Sequence, residues 1–116
     1  MVTESTILSL NPDRKVLLGY ESALQAGGFQ VISVQSPIEA RFEIDMGRCG
    51  VFLSSYLTPV VIYQDLADRF RRNCPNGLVA YVSCQPNEKV DDSDIQLSLR
   101  DEPNSIVERL RTKTIQ

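Results

Sequence analysis

The 116 residues carry a formal net charge of −3, with 42% hydrophobic and 23% charged residues. That composition suits one globular domain, long enough to bury roughly two thirds of its unfolded surface without staples. It argues against nucleic acid or an anionic membrane as the main partner, since both demand concentrated positive charge. Arg69, Arg71 and Arg72 form the only basic cluster before the C-terminus, and they read as a solvated helix face. The chain has no histidine. Ser-His and Cys-His catalytic pairs, histidine metal sites and phosphohistidine transfer are therefore all excluded. Cys49, Cys74 and Cys84 share no C-x-x-C spacing. With no signal peptide and no apolar run of membrane length, they read as reduced thiols of a cytoplasmic protein, at least two of them serving as small buried hydrophobes.

Thr6 to Leu10 is a first short strand. Asn11-Pro12-Asp13 then opens a helix, with Asn11 expected to cap it, Pro12 at the first helical position and Asp13 complementing the dipole. Val16, Leu17, Tyr20, Ala23, Leu24 and Gly27 form its apolar stripe. Gly27-Gly28 ends it. Phe29 to Val34 is the second strand. Ser36-Pro37-Ile38-Glu39 is a capping box with proline at the first helical position, and the helix it starts runs to about Met46. Phe42 to Asp45 alternates as a strand would, but the cap favours helix.

Val51 to Ser55 is the third strand, apolar on successive residues as befits a strand covered on both faces. Thr58-Pro59 is expected to cap the next helix, in which Tyr63, Leu66, Ala67, Phe70 and Cys74 give the cleanest amphipathic pattern of the chain. Asp65 and Asp68 come early in it and the arginines late, in keeping with the macrodipole. Pro75-Asn76-Gly77 turns the chain into the fourth strand, Leu78 to Val82. Gln85 to Asp94 is polar, lacks an apolar stripe and reads as a loop with at most one helical turn. Its Asp91-Asp92-Ser93-Asp94 lacks the spacing and glycine of a calcium loop. Ile95 to Leu99 is a fifth strand. Asp101-Glu102-Pro103 opens a last helix that buries Ile106, Val107 and Leu110.

Strands alternating with helices predict an α/β fold: a doubly wound, five-stranded parallel sheet in order 2-1-3-4-5, with helices on both faces and the fourth helix reduced or absent. Ligands of such sheets gather at the carboxyl ends of the strands. Here those ends offer Asn11, Ser54, Ser55, Ser83, Cys84 and Leu99, with no carboxylate among them. Ser54 and Ser55 are expected as satisfied strand-end hydroxyls.

With its elements in this order, the chain resembles the receiver domain of bacterial response regulators from about Thr6 to Leu110. The landmarks are Ala23-Leu24 and Gly28-Phe29 around the first helix end, Ala40 in the second helix, and Pro59 four residues after Ser55. The resemblance implies a site of two adjacent acids that hold Mg²⁺, an acceptor aspartate, a hydroxyl residue and a lysine. At those positions this chain has Asn11 and Pro12, Ser55, Ser83 and Leu99; only the hydroxyl is kept. Arg100 could replace the lysine only through a one-residue slip of register. A receiver also fits a full helix where this chain has Gln85 to Asp94.

The expectation is a pseudo-receiver: a signalling module of the two-component or phosphorelay type that cannot be phosphorylated. It would be no enzyme, would need no cofactor or metal, and would act by binding a protein of its pathway, a second copy of itself included. Val60-Val61-Ile62 is the candidate contact surface, because receivers place a small polar turn there; the plainer reading is packing at the start of the third helix. Two other functions compete. A small-ligand binder on a flavodoxin-like scaffold would lack a glycine-rich phosphate cradle at Ser9-Leu10-Asn11-Pro12. A thiol enzyme using Cys84 would lack a histidine base.

Overall fold

In a computed structural model that describes residues 6–83, 95–98 and 103–114, all the strand pairs run parallel. The elements follow in the order β1 (Thr6–Leu10), α1 (Arg14–Ala26), β2 (Gln30–Val34), α2 (Pro37–Met46), β3 (Val51–Ser55), α3 (Val60–Asn73), β4 (Leu78–Ser83), β5 (Ile95–Ser98) and α4 (Pro103–Thr114). The sheet order is β2-β1-β3-β4-β5, as the alternation of strands and helices predicts.

The two-residue period of the strands sorts the core into two layers. Ile7, Val51, Leu53, Ala80, Val82, Ile95 and Leu97 point to one side, where α1 and α4 cover them with Tyr20, Leu24, Ile106, Val107 and Leu110. Leu8, Leu10, Phe52, Val79 and Tyr81 point to the other, where α2 and α3 supply Ala40, Ile44, Tyr63, Leu66, Ala67 and Phe70. Three aromatic contacts tie the second layer together: Phe52 with Tyr63, Phe52 with Phe70, and Tyr63 with Tyr81 at a 4.8 Å centroid separation. Each such pair adds about 0.5–1.5 kcal/mol beyond the area it buries.

Helix ends explain how the chain reaches the strand tips. Gly27 caps α1, and a Cβ there would lie 2.3 Å from a Val107 methyl, so only glycine lets α1 and α4 approach this closely. Gly28 follows at φ 97°, the left-handed turn that frees the chain to enter β2. Ser36 caps α2 as expected: its Oγ accepts the Glu39 N–H at 3.3 Å and donates to the Glu39 carboxylate at 3.0 Å. The alternation at Phe42 to Asp45 is overridden by that cap, and the segment is helical.

Four local expectations need correction. Asn11 does not cap α1, and Pro12 is not its first residue. Asp13 is the cap, its Oδ1 accepting from the Lys15 and Val16 N–H groups at 2.9 and 3.3 Å. The reason is burial: Asn11 stays in the sheet, its N–H bonded to the Val34 carbonyl at 3.1 Å. Thr58 does not cap α3 either. Pro59 takes that position without a side-chain hydrogen bond, and Thr58 is buried beneath the turn. Asp65 and Asp68 fall beyond the first turn of α3, where the macrodipole has faded, while Arg71 and Arg72 do occupy the last. Arg69, finally, does more than lie on a solvated face: its Nε and Nη2 grip both carboxylate oxygens of Asp45 at 2.7 and 2.9 Å, clamping α3 to α2.

Cys49 is buried and Cys74 half-buried, both as free thiols. Burial, with Glu43 nearby, pushes the Cys49 thiol up to about 11, so it stays protonated at neutral pH. The expectations for Cys84, Gln85 to Asp94 (the reduced fourth helix among them), Leu99 and Arg100 lie outside the described residues.

Candidate functional site

The carboxyl ends of β1 and β3 lie side by side, since Ile7, Leu8 and Ser9 pair with Val51, Phe52 and Leu53. This brings Asn11 and Ser55 together across forty-four positions of sequence, with the Asn11 Nδ2 donating to the Ser55 Oγ at 3.4 Å. The contact is long and therefore weak. Both side chains are buried, 2% and 3% exposed, so neither has water as an easy substitute.

Their remaining polar capacity is turned inward. The Asn11 Oδ1 accepts the Asp13 N–H at 2.9 Å, an Asx turn that steers the chain from β1 into α1. Ser55 Oγ accepts a second bond from the Leu57 N–H at 3.3 Å, and the Ser55 carbonyl accepts from the Thr58 N–H at 3.0 Å. Pro12 is exposed and offers no ligand atom on its side chain. Asp13 is exposed, and its Oδ1 accepts from the first turn of α1. Ser83 lies at the end of β4, beside the pair, and its Oγ donates to the Leu97 carbonyl at 3.2 Å, tying β4 to β5. Amides and hydroxyls bonded to one another can hold a loop in shape. They supply no fixed negative charge for Mg²⁺, which prefers carboxylate oxygens, and no base to activate a hydroxyl. Among the described residues, no three Asp, Glu or Cys side chains come together as a metal site would require.

The two serines of β3 part company. Ser55 is satisfied as expected. Ser54 is not: its Oγ is buried and has no hydrogen-bond partner among the described residues. Strand alternation puts Ser54 on the face of Phe52, in the aromatic layer, where polar partners are scarce. Leaving a buried hydroxyl unpaired costs about 1–3 kcal/mol.

Next to Ser55 in the chain, the first turn of α3 is apolar and open. Val60, Val61 and Ile62 are 48%, 77% and 37% exposed, so the plainer expectation that they pack at the helix start fails. With Leu57 they form an apolar rim on the turn that leaves β3. A second exposed apolar strip escaped the sequence reading. Ile38, Phe42 and Met46 on α2 are all solvent-facing. Their spacing of i, i+4 and i+8 beside the buried Ala40 and Ile44 was the available signal.

No family model matches the chain, and no curated protein matches it. Solved structures do. The chemotaxis response regulator CheY4 of Vibrio cholerae superposes with a TM-score of 0.81 at 16% identity, covering 92% of this chain and 96% of that one. A response regulator from Thermotoga maritima gives 0.77 at 17% identity, covering 96% and 98%. A response regulator receiver protein from Sinorhizobium medicae WSM419 gives 0.72 at 24% identity, covering 92% and 94%. The chain therefore has the fold of response-regulator receiver domains over nearly its whole length. No described helix is long and apolar enough to cross a membrane.

Proposed function

We propose that this chain is a receiver-like signalling module that takes up no phosphoryl group and works through contact with a protein partner. The observation that carries this reading is the Asn11–Ser55 pair. An amide and a hydroxyl, bonded to each other and to the neighbouring backbone, occupy the strand ends where the receiver resemblance calls for a metal-binding acid and an acceptor aspartate. Phosphoryl transfer rests on charge positioning and metal electrostatics, and these residues offer neither. The apolar rim of Val60, Val61 and Ile62 beside that pair is the surface we assign to the partner, a protein of the same signalling pathway. The reading implies a cytoplasmic protein that is no enzyme and needs neither metal nor cofactor.

Acetyl phosphate with Mg²⁺ should leave the intact mass unchanged, and a phosphoryl adduct would overturn the proposal. Ser55→Asp should also remain unmodified, because Asn11 and Pro12 supply no acid pair. For the contact surface, Val61→Asp should abolish capture of the physiological partner without altering the melting temperature, since the side chain is largely exposed. Undiminished capture would remove this surface from the reading.

A further inference from the structure

Cys49 and Cys74 lie on different connections, the first between α2 and β3, the second at the end of α3 before β4. Three contacts bring them to one corner of the fold. Arg69 grips Asp45, so the end of α2 sits beside the second half of α3. The Leu78 N–H donates to the Gly50 carbonyl at 3.0 Å, so the residue after Cys49 adjoins the start of β4. A Cβ on Gly77 would lie 2.8 Å from the Cys74 Sγ, so the sulfur rests over the residue just before Leu78. Cys49 belongs to the core layer of Phe52 and Phe70, and Cys74 packs against that same layer. Cys74 is also among the groups that raise the Cys49 thiol, an influence that falls off with distance.

We propose that Cys49 and Cys74 form a reversible disulfide when the chain meets a hydroperoxide, tying the α2–β3 turn to the end of α3. The chemistry has two steps. The Cys74 thiolate attacks one peroxide oxygen: an S–O bond forms, the O–O bond breaks, and the departing hydroxide takes a proton to become water, leaving a sulfenic acid. The Cys49 thiolate then attacks the Cys74 sulfur: the S–S bond forms, the S–O bond breaks, and hydroxide again leaves as water. Two thiols and one hydrogen peroxide give one disulfide and two waters. Cys74 is half-buried and takes the first step, whereas Cys49, 4% exposed, is closed to the oxidant and resolves the intermediate. Burial keeps the Cys49 thiol protonated at neutral pH, so the second step is the slow one. Both residues stand outside the helices and strands, where the backbone can adjust to the Cα separation of about 4.4–6.8 Å that a disulfide takes. The bond closes a loop holding all of β3 and α3, which restricts the unfolded chain and stabilises the folded one.

Trypsin places Cys49 in peptide 49–69 and Cys74, together with Cys84, in peptide 73–89. After treatment with hydrogen peroxide and alkylation of the remaining thiols, an unreduced digest should show these two peptides joined within one chain. Fragment ions should assign the link to Cys74, the link should persist in Cys84→Ser, and dithiothreitol should break it. Oxidation should raise the melting temperature by about 5 °C, a shift that Cys74→Ala abolishes. Cys49→Ala should leave the Cys74 sulfenic acid unresolved and open to trapping by dimedone. Peptide 49–69 recovered with its thiol alkylated, or a link that runs to Cys84, overturns the inference. The strand-end pair takes no part in this chemistry, so the functional proposal stands or falls separately.

Discussion

Helices α2 and α3 cover the same face of the sheet, yet they are built on different plans. Past the exposed first turn of Val60, Val61 and Ile62, α3 keeps its apolar residues on one side: Tyr63, Leu66, Ala67 and Phe70 are all buried, and Arg69 reaches across to Asp45. In α2 only Ala40 and Ile44 are buried, and three apolar residues, Ile38, Phe42 and Met46, face out. The start signals are reversed as well. Helix α2 opens on a Ser36 side chain bonded to both the N–H and the carboxylate of Glu39, whereas α3 opens at Pro59 with no side-chain cap. A helix that buries aromatic rings is held by its neighbours and can do without a cap. A helix that buries little depends on its own ends.

The sharpest test of this contrast sets Phe70 against Phe42. Phe70→Ala opens a cavity beside Phe52 and should cost about 3–5 kcal/mol in denaturant unfolding. Phe42→Ala should stay within about 0.5 kcal/mol. Comparable losses at the two positions would mean that α2 is packed more like α3 than its exposure shows. Next in size is the cap. Ser36→Ala should cost about 1 kcal/mol, and Ser36→Thr should recover most of it.

A smaller effect of opposite sign is expected at Ser54. Ser54→Ala removes an unpaired buried hydroxyl from the aromatic layer and should be neutral or stabilising by up to about 1 kcal/mol. Ser55→Ala, which strips partners from Asn11 and Leu57, should destabilise. If Ser54→Ala proves the more harmful, the assignment of roles to the two serines is wrong.

The smallest effect concerns the Asp45–Arg69 clamp between the two helices. Hydrogen bonding to Arg69 holds the Asp45 carboxyl below its ordinary 3.8. A depressed carboxyl contributes stability that is present above the unfolded value and is lost as the pH falls through the folded one. The clamp should therefore weaken only below about pH 4. Asp45→Asn should flatten that part of the acid-unfolding curve, and because the pair is exposed the change should be slight and shrink further in salt.

Much of this was legible from residues alone. The alternation of strands and helices gave a parallel sheet with right-handed crossovers, and 2-1-3-4-5 is the natural order for five such strands. The capping box marked the start of α2 and the apolar run marked β3. The positions of Asn11 and Ser55 at strand ends were readable too, but their bond was not, since it joins residues forty-four apart in sequence. The first turn of α1 was misread for a related reason. Asn11 and Asp13 are both good caps by type, and only the sheet hydrogen bond from the Asn11 N–H to Val34 decided that Asn11 belongs to β1. The exposure of Val60, Val61 and Ile62 was equally hidden: apolar residues at a helix start look the same in sequence whether they meet a core or open water.

The sequence by itself settled what the strand ends are made of: amide, proline and hydroxyl, with no carboxylate at Asn11, Pro12 or Ser55. Residue type limits chemistry wherever the chain goes, so that conclusion needed no coordinates. Only the tertiary structure decided how those groups spend their hydrogen bonds, which of the two β3 serines is left unpaired, and which apolar residues of α2 and α3 remain uncovered. Each depends on what another segment brings to the same place, and apolar burial and hydrogen-bond satisfaction are settled between segments rather than within one.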